Sequence, residues 1–181
     1  MRKIYVLSDR LDALSVQHQR AFALIAAERM FVARTLIINR VDSSEAGDFM
    51  QILDQLWQHL IRDDEMSVDE HEMYRLNINA LRPSKLDDYK TFPLRDVYWI
   101  FKSVLNVFRE RDHAFEIGRL GLEMATKSKL NENIEVDNLL EIANFLEHAA
   151  QIDDNAVAEL RETIRQLPLA VGSQQPQPRR D

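Results

Sequence analysis

The sequence predicts an all-α fold: a single-domain bundle of about seven helices over residues 1–168, followed by a disordered tail over 169–181. Three observations lead there. Apolar residues recur at helical spacing in one segment after another. Four glycines and five prolines in 181 residues favour long regular elements over a loop-rich fold. Helix start signals stand in front of the apolar stripes.

The elements follow in order. Residues 3–7 read equally well as a short strand or a lead-in. A helix is expected from about Ser8 or Asp9, with Leu11, Leu14, Ala21, Phe22, Ile25 and Val32 at helical spacing, a bend or break near Ser15 and an end near Ile38. It is apolar on most sides, which marks a central helix packed by several neighbours. Asp42 and Glu45 form a capping box, with Ser43 and Ser44 as competing caps. Phe49, Ile52, Leu53, Leu56, Trp57, Leu60 and Ile61 then run without a gap along one helical face. Ser67 and Glu70 make a second capping box before a weaker stripe of Tyr74, Ile78 and Leu81. "RPSKLDDYKTF" is a connector, and Pro93 looks like the first residue of the next helix, where its missing N–H costs nothing. Leu94, Val97, Tyr98, Phe101, Val104, Leu105 and Phe108 make that helix a core element.

Between 112 and 129, Ala114, Gly118, Gly121 and Ala125 share one helical face. Each glycine costs a helix roughly 0.5–1 kcal/mol against alanine, so a second helix is expected to approach closely there. A sixth helix spans about 135–151. A seventh spans 155–167, capped by Asp153 or Asp154 and stopped by Pro168. "LAVGSQQPQPRRD" has the composition of a disordered tail.

Composition excludes several classes. The absence of cysteine removes disulfides, thiolate metal sites and a cysteine nucleophile. A net charge of -7 argues against nucleic acid, whose phosphates attract basic surfaces, and suits recognition of a basic protein. The apolar run Ile4–Leu7 is too short for a secretory signal. "AFALIAAERMFVARTLIINR" is interrupted by Glu28, Arg29 and Arg34, where a membrane span needs about 20 apolar residues. A cytoplasmic protein without membrane attachment is expected.

Four segments carry a resemblance. "RLDALSVQHQRAFALIAAERM", "QILDQLWQHL", "LRPSKLDDYKTFPLRDVYWIF" and "AFEIGRLGLEM", taken in succession over roughly residues 9–125, resemble the YjaG-like family of uncharacterised bacterial proteins. After Met30 the sequence departs from that pattern: a Pro-Asn-Tyr-like turn is replaced by "FVAR", so the helix is expected to continue. The resemblance implies an all-α fold and no activity.

Glu28 has Leu24 and Ile25 below it and Phe31 and Val32 above it on a helix, which places it on an apolar face beside Arg29. A buried carboxylate costs several kcal/mol unless it is paired. Glu28 and Arg29 are therefore read as a buried polar pair, satisfied within the pair or by a neighbouring helix through Arg95 or His18, in preference to a general base or ligand. Asp54, Asp96 and Glu116 fall at stripe edges or outside, and Asp96 suits the first turn of its helix. Glu110 and His113 form one Glu-x-x-His, where a carboxylate-bridged two-iron bundle needs two plus two further inward glutamates. No serine sits in a strand–turn–helix elbow and no glycine-rich phosphate loop occurs. No catalytic residue, metal or cofactor is expected.

What remains is surface. Asp63, Asp64, Glu65, Asp69, Glu70 and Glu72 cluster within ten positions, and Glu132, Glu135, Asp137 and Glu141 form a second acidic run. The bland reading is a solvated face. The functional reading is a docking face for a basic protein partner, one form of which is an immunity-type protein neutralising a bacterial toxin. Two alternatives stand beside it: a small-ligand or metal-binding bundle centred on Glu28, and a homo-oligomeric structural protein joined through its small-residue stripe.

Overall fold

The computed structural model describes residues 2–38, 43–80, 92–109, 115, 118–119 and 132–167. Seven helices can be bounded among the described residues, and no strand occurs among them. They are α1 (Arg2–Ala13), α2 (Val16–Ile38), α3 (Ser43–Arg62), α4 (Val68–Ala80), α5 (Phe92–Arg109), α6 (Glu132–His148) and α7 (Asp154–Gln166). Phe115, Gly118 and Arg119 are helical as well.

The chain's first residues correct one expectation. Residues 3–7 are neither strand nor lead-in but belong to α1, because Leu7 and Leu11 are spaced one helical turn apart and both bury completely. The break near Ser15 is present. Gln19 donates to the carbonyls of Leu11 and Leu14 at 3.0 and 3.1 Å, closing the end of α1, while Ser15 Oγ accepts from the His18 N–H at 3.3 Å to open α2. His18 then reaches Ala149 O with Nε2 at 3.0 Å, so the corner between α1 and α2 is tied to the far end of α6.

α2 is the axis of the bundle. Every residue from Ala21 to Phe31 is buried, and the helix packs against α3, α5, α6 and α7. Alanines at 21, 23, 26 and 27 keep its girth small, which lets four neighbours approach at once. α1 lies on α6, α4 on α5, and α6 on α7. Phe31, Phe49 and Phe101 join α2, α3 and α5 through ring contacts with centroids 4.7–6.3 Å apart, within the favourable range for tilted and edge-on rings. Arg20 closes the end of α5, donating to Phe108 O at 2.9 Å where a cation also complements the helix dipole.

Gly118 is the described member of the small-residue stripe. It is buried, and a Cβ there would lie 3.5 Å from Leu7 Cδ2 and 3.7 Å from Phe22 Cε1. Those are ordinary van der Waals distances, so Gly118 packs on α1 and α2 of the same chain without the tight approach that would demand glycine. Ala114, Gly121 and Ala125 lie outside the described residues, as do Asp42, the body of the connector, Glu110, His113, Pro168 and the tail 169–181.

Two helix starts follow the sequence closely. Ser67 and Glu70 form the reciprocal box before α4: Ser67 Oγ accepts from the Glu70 N–H at 3.2 Å, and the Glu70 carboxylate accepts from the Ser67 N–H at 2.9 Å. Asp153 caps α7, accepting from the Ala156 N–H at 2.8 Å. That bond, with a second from Gln151, holds the Asp153 carboxyl below the usual range.

Candidate functional site

The two charges at the middle of α2 turn to different neighbours. Arg29, 3% exposed, meets Glu135 of α6 with both prongs of its guanidinium: Nε to Oε1 at 3.1 Å and Nη2 to Oε2 at 3.0 Å. Asn138, one turn along α6, lies 3.5 Å from the same carboxylate. A bidentate pair fixes rotation as well as distance, so α6 is locked in phase against α2. Glu28, 8% exposed, faces α3 and α7 instead. Its Oε2 accepts from Trp57 Nε1 at 3.2 Å and from Arg161 Nε at 3.0 Å. Arg161 also donates to Asp54 at 2.8 Å, and its guanidinium lies 5.7 Å from the centre of the Trp57 ring. Burial opposes the Arg161 charge, but the bond to Asp54 and the field of Glu28 outweigh it and raise its pKa further above the ordinary arginine value. A carboxylate held by an indole and a guanidinium ties α2 to α3 and α7.

The acidic corner between α3 and α4 is built differently. Asp63 takes φ 54, the left-handed conformation, and its N–H bonds to Leu60 O at 3.1 Å to end α3. Glycine is the residue suited to that position, and aspartate is among the few others that tolerate it. A carboxylate also opposes the negative end of the helix dipole. Asp64 and Glu65 follow, exposed, and Asp69 stands exposed in the first turn of α4. Asp63, Asp64, Glu65 and Asp69 make no ion pair among the described residues. Glu70 and Glu72 are engaged. The Ser67 hydroxyl, then the Ser67 N–H, holds the Glu70 carboxyl below the usual range. The Arg75 guanidinium, bound to Glu72 one turn away on α4, does the same for Glu72. Val68, Met73 and Leu76, all on α4, are exposed beside this corner, Val68 to 85%.

Between α3 and α4 runs a cleft. The helices are antiparallel neighbours, yet α3 rests on α2 and α4 on α5 rather than on each other. The wider part, about 600 Å³, is lined by Met50, Gln51, Asp54, Gln55, Gln58, His59, Arg62, Met73 and Tyr74 with Gly47. It continues past Gln51 and Gln55 into about 260 Å³ bounded by Asp48, Ile52, Asn77 and Ala80. At the end nearest the corner the His59 ring stands edge-on to Tyr74 at 5.8 Å, with Nε2 3.7 Å from Glu70 Oε1. His59 Nδ1 is shut off from solvent and has no hydrogen-bond partner among the described residues. Burial, with Glu70 nearby, raises the Tyr74 hydroxyl and keeps it neutral.

A helical bundle wound around one buried central helix, its interior charges tied in pairs, is the class this geometry defines. Residues 6–127 match the family described as "Protein of unknown function (DUF416)", and the chain belongs to that family. The match contains the stretch 9–125 on which the sequence resemblance rests. A similar solved structure is the crystal structure of a DUF416 family protein from Shewanella baltica OS155 at 1.91 Å resolution, with a TM-score of 0.68 and 16% identity over 87% of this chain and 92% of that one. At that identity the likeness speaks for the fold. No curated protein matches the chain. No helix among the described residues is long and apolar enough to cross a membrane, and no group of three or more metal-binding side chains occurs among them.

Sequence reasoning missed the partners of the interior charges. Glu135 was counted with a surface acidic run, yet it is 7% exposed, while Asp137 in the same run is exposed and paired with Lys3 at 2.5 Å. Its signal is its spacing: Glu135 lies four before Leu139 and seven before Ile142, on the buried face of α6. Arg161 carries the same signal, four after Val157 and three before Ile164. His18, offered as a partner for Glu28, is engaged with Ser15 and Ala149.

Proposed function

We propose that this chain, a YjaG-like member of its family, is a non-enzymatic cytoplasmic protein whose acidic α3–α4 corner docks a protein partner with a basic surface. The observation that carries this reading is Asp63. The sequence places a carboxylate where the backbone favours glycine and the helix dipole favours a cation, and then adds Asp64, Glu65 and Asp69 without a counter-charge among the described residues. Departures from local stability of this kind gather where a surface serves another molecule. The exposed Val68, Met73 and Leu76 of α4 supply apolar area, which an interface buries together with its charged contacts. An immunity-type role, with the corner covering the basic active site of a toxin, is one form of this reading.

The test is a pull-down from the native cells with the parent chain and with the variant Asp63→Asn/Asp64→Asn/Glu65→Gln/Asp69→Asn, washed at low and high salt. The parent is expected to retain a basic protein at low salt and release it at high salt, because screening weakens exposed charge pairs. The variant is expected to retain none. Equal retention by both chains sinks the reading.

A further inference from the structure

Resting on that docking reading, we infer that the α3–α4 cleft is the seat for an extended, lysine- or arginine-bearing segment of the partner, held along its main chain by Gln51, Gln55 and Gln58. These three amides sit at i, i+4 and i+7 on one face of α3. Gln51 and Gln58 are exposed, Gln55 is half-buried, and all three line the cleft.

An amide side chain carries both a donor and an acceptor, which matches the C=O and N–H of a peptide main chain regardless of its sequence. The spacing matches as well. Residues four apart on a helix are separated by about 6 Å along its axis. The outward-facing groups of an extended chain repeat every two residues, at about 6.6 Å. Gln51 and Gln55 therefore meet successive rungs of an extended segment lying along α3.

The walls suit side chains of such a segment. Met50 and Met73 both line the wider part, and unbranched thioethers conform to varied apolar surfaces, the aliphatic stems of lysine and arginine included. Carboxylates stand at both ends, Asp48 at the narrow end and Glu70 beside His59 at the other, with the unpaired Asp63, Asp64 and Glu65 beyond it, and they outnumber Arg62, the one arginine of the lining among the described residues. A basic segment entering from the corner would meet charge first and amides next. Electrostatic contacts of this kind speed encounter and set register, and main-chain bonds then hold the segment.

The experiment pans a phage-displayed library of random linear peptides on the full-length protein. It then measures the enriched peptides against three chains: the parent, Gln51→Ala/Gln55→Ala/Gln58→Ala, and the four-site corner variant above. Alanine is a good helix former, so the glutamine variant is expected to fold as the parent does. The methyl signals of Met50 and Met73 are followed by NMR, with Met30 in the core as the internal control. The expected result is enrichment of lysine- and arginine-bearing peptides that move the Met50 and Met73 signals, leave Met30 in place, and bind the glutamine variant at least tenfold more weakly, a loss of about 1.4 kcal/mol. Basic peptides that bind the glutamine variant as well as the parent, yet lose the corner variant, overturn the cleft and leave the docking reading standing. Enrichment of acidic or neutral peptides, or of none, overturns both.

Discussion

Inside the bundle, Arg29 meets Glu135 with two aligned hydrogen bonds, and Glu28 is shared between Trp57 and Arg161. At the corner, Asp63, Asp64, Glu65 and Asp69 crowd together in solvent with no opposite charge bonded to them among the described residues. Both regions are rich in charge, but in the buried one each charge meets an opposite charge and in the exposed one it does not. Burial forces pairing, since an unmatched interior charge costs several kcal/mol. Solvent imposes no such demand. Unmatched charge at the surface is therefore free to serve recognition, whereas matched charge in the core reports on helix placement.

The sharpest way to break this comparison is to unpair the interior. Arg29→Met leaves Glu135 buried alone and is expected to lose about 3–5 kcal/mol in urea denaturation. The double variant Arg29→Met/Glu135→Leu should recover most of that, because a buried ion pair is worth little more than apolar side chains of similar volume. A single variant as stable as the parent would show that the pair does not hold α6 against α2.

Glu28→Ala should cost less, roughly 1–3 kcal/mol, since it strands the Trp57 N–H but leaves Arg161 bound to Asp54. Intrinsic fluorescence in a Trp99→Phe background isolates Trp57 and reads the change directly. Loss equal to that of Arg29→Met would remove the distinction between the two ties.

The corner should respond with the opposite sign. Asp63→Gly relieves the left-handed backbone and the charge at the end of α3, and is expected to stabilise the fold by about 1 kcal/mol in the same denaturation series. Under the docking reading it also weakens the partner. A variant that gains stability and keeps full binding would make Asp63 an accident of the turn.

Acid should show the smallest effect. The Glu70 and Asp153 carboxyls are depressed by the hydrogen bonds that cap α4 and α7. A depressed carboxyl stabilises the folded state above its ordinary value, and that contribution is lost as pH falls through the depressed one. Amide protection in the first turns of α4 and α7, measured against the intrinsic exchange rate, should fall below the ordinary carboxylate range and stay constant above it. Faster exchange on raising the pH into the neutral range, beyond the intrinsic base-catalysed trend, would reverse the assignment.

Most of the helices were legible because long apolar stripes and capping boxes are local signals. Trp57, Phe101 and Leu53 announce their burial by spacing alone. The start of α1 was not legible, because Ile4 to Leu7 is too short a run for period 2 and period 3.6 to be told apart. The burial of Glu28 and Arg29 could be read from their neighbours, but their partners could not. Glu135 and Arg161 lie more than a hundred positions away, and one sequence holds no record of which distant helix faces which. The cleft was invisible for the same reason: it exists because α3 and α4 choose other neighbours.

The burial of α2 on all sides also sets an order of events. Arg161, which ties the helix to α7, follows Glu28 by 133 residues. At translation speeds of 5–20 residues per second that is roughly 7 to 27 s. For that interval the run Ala21–Phe31 lacks its last wall, and a greasy segment waits in a crowded cell for its own C-terminal half. Until Arg161 arrives, only the helices made before it can cover that run.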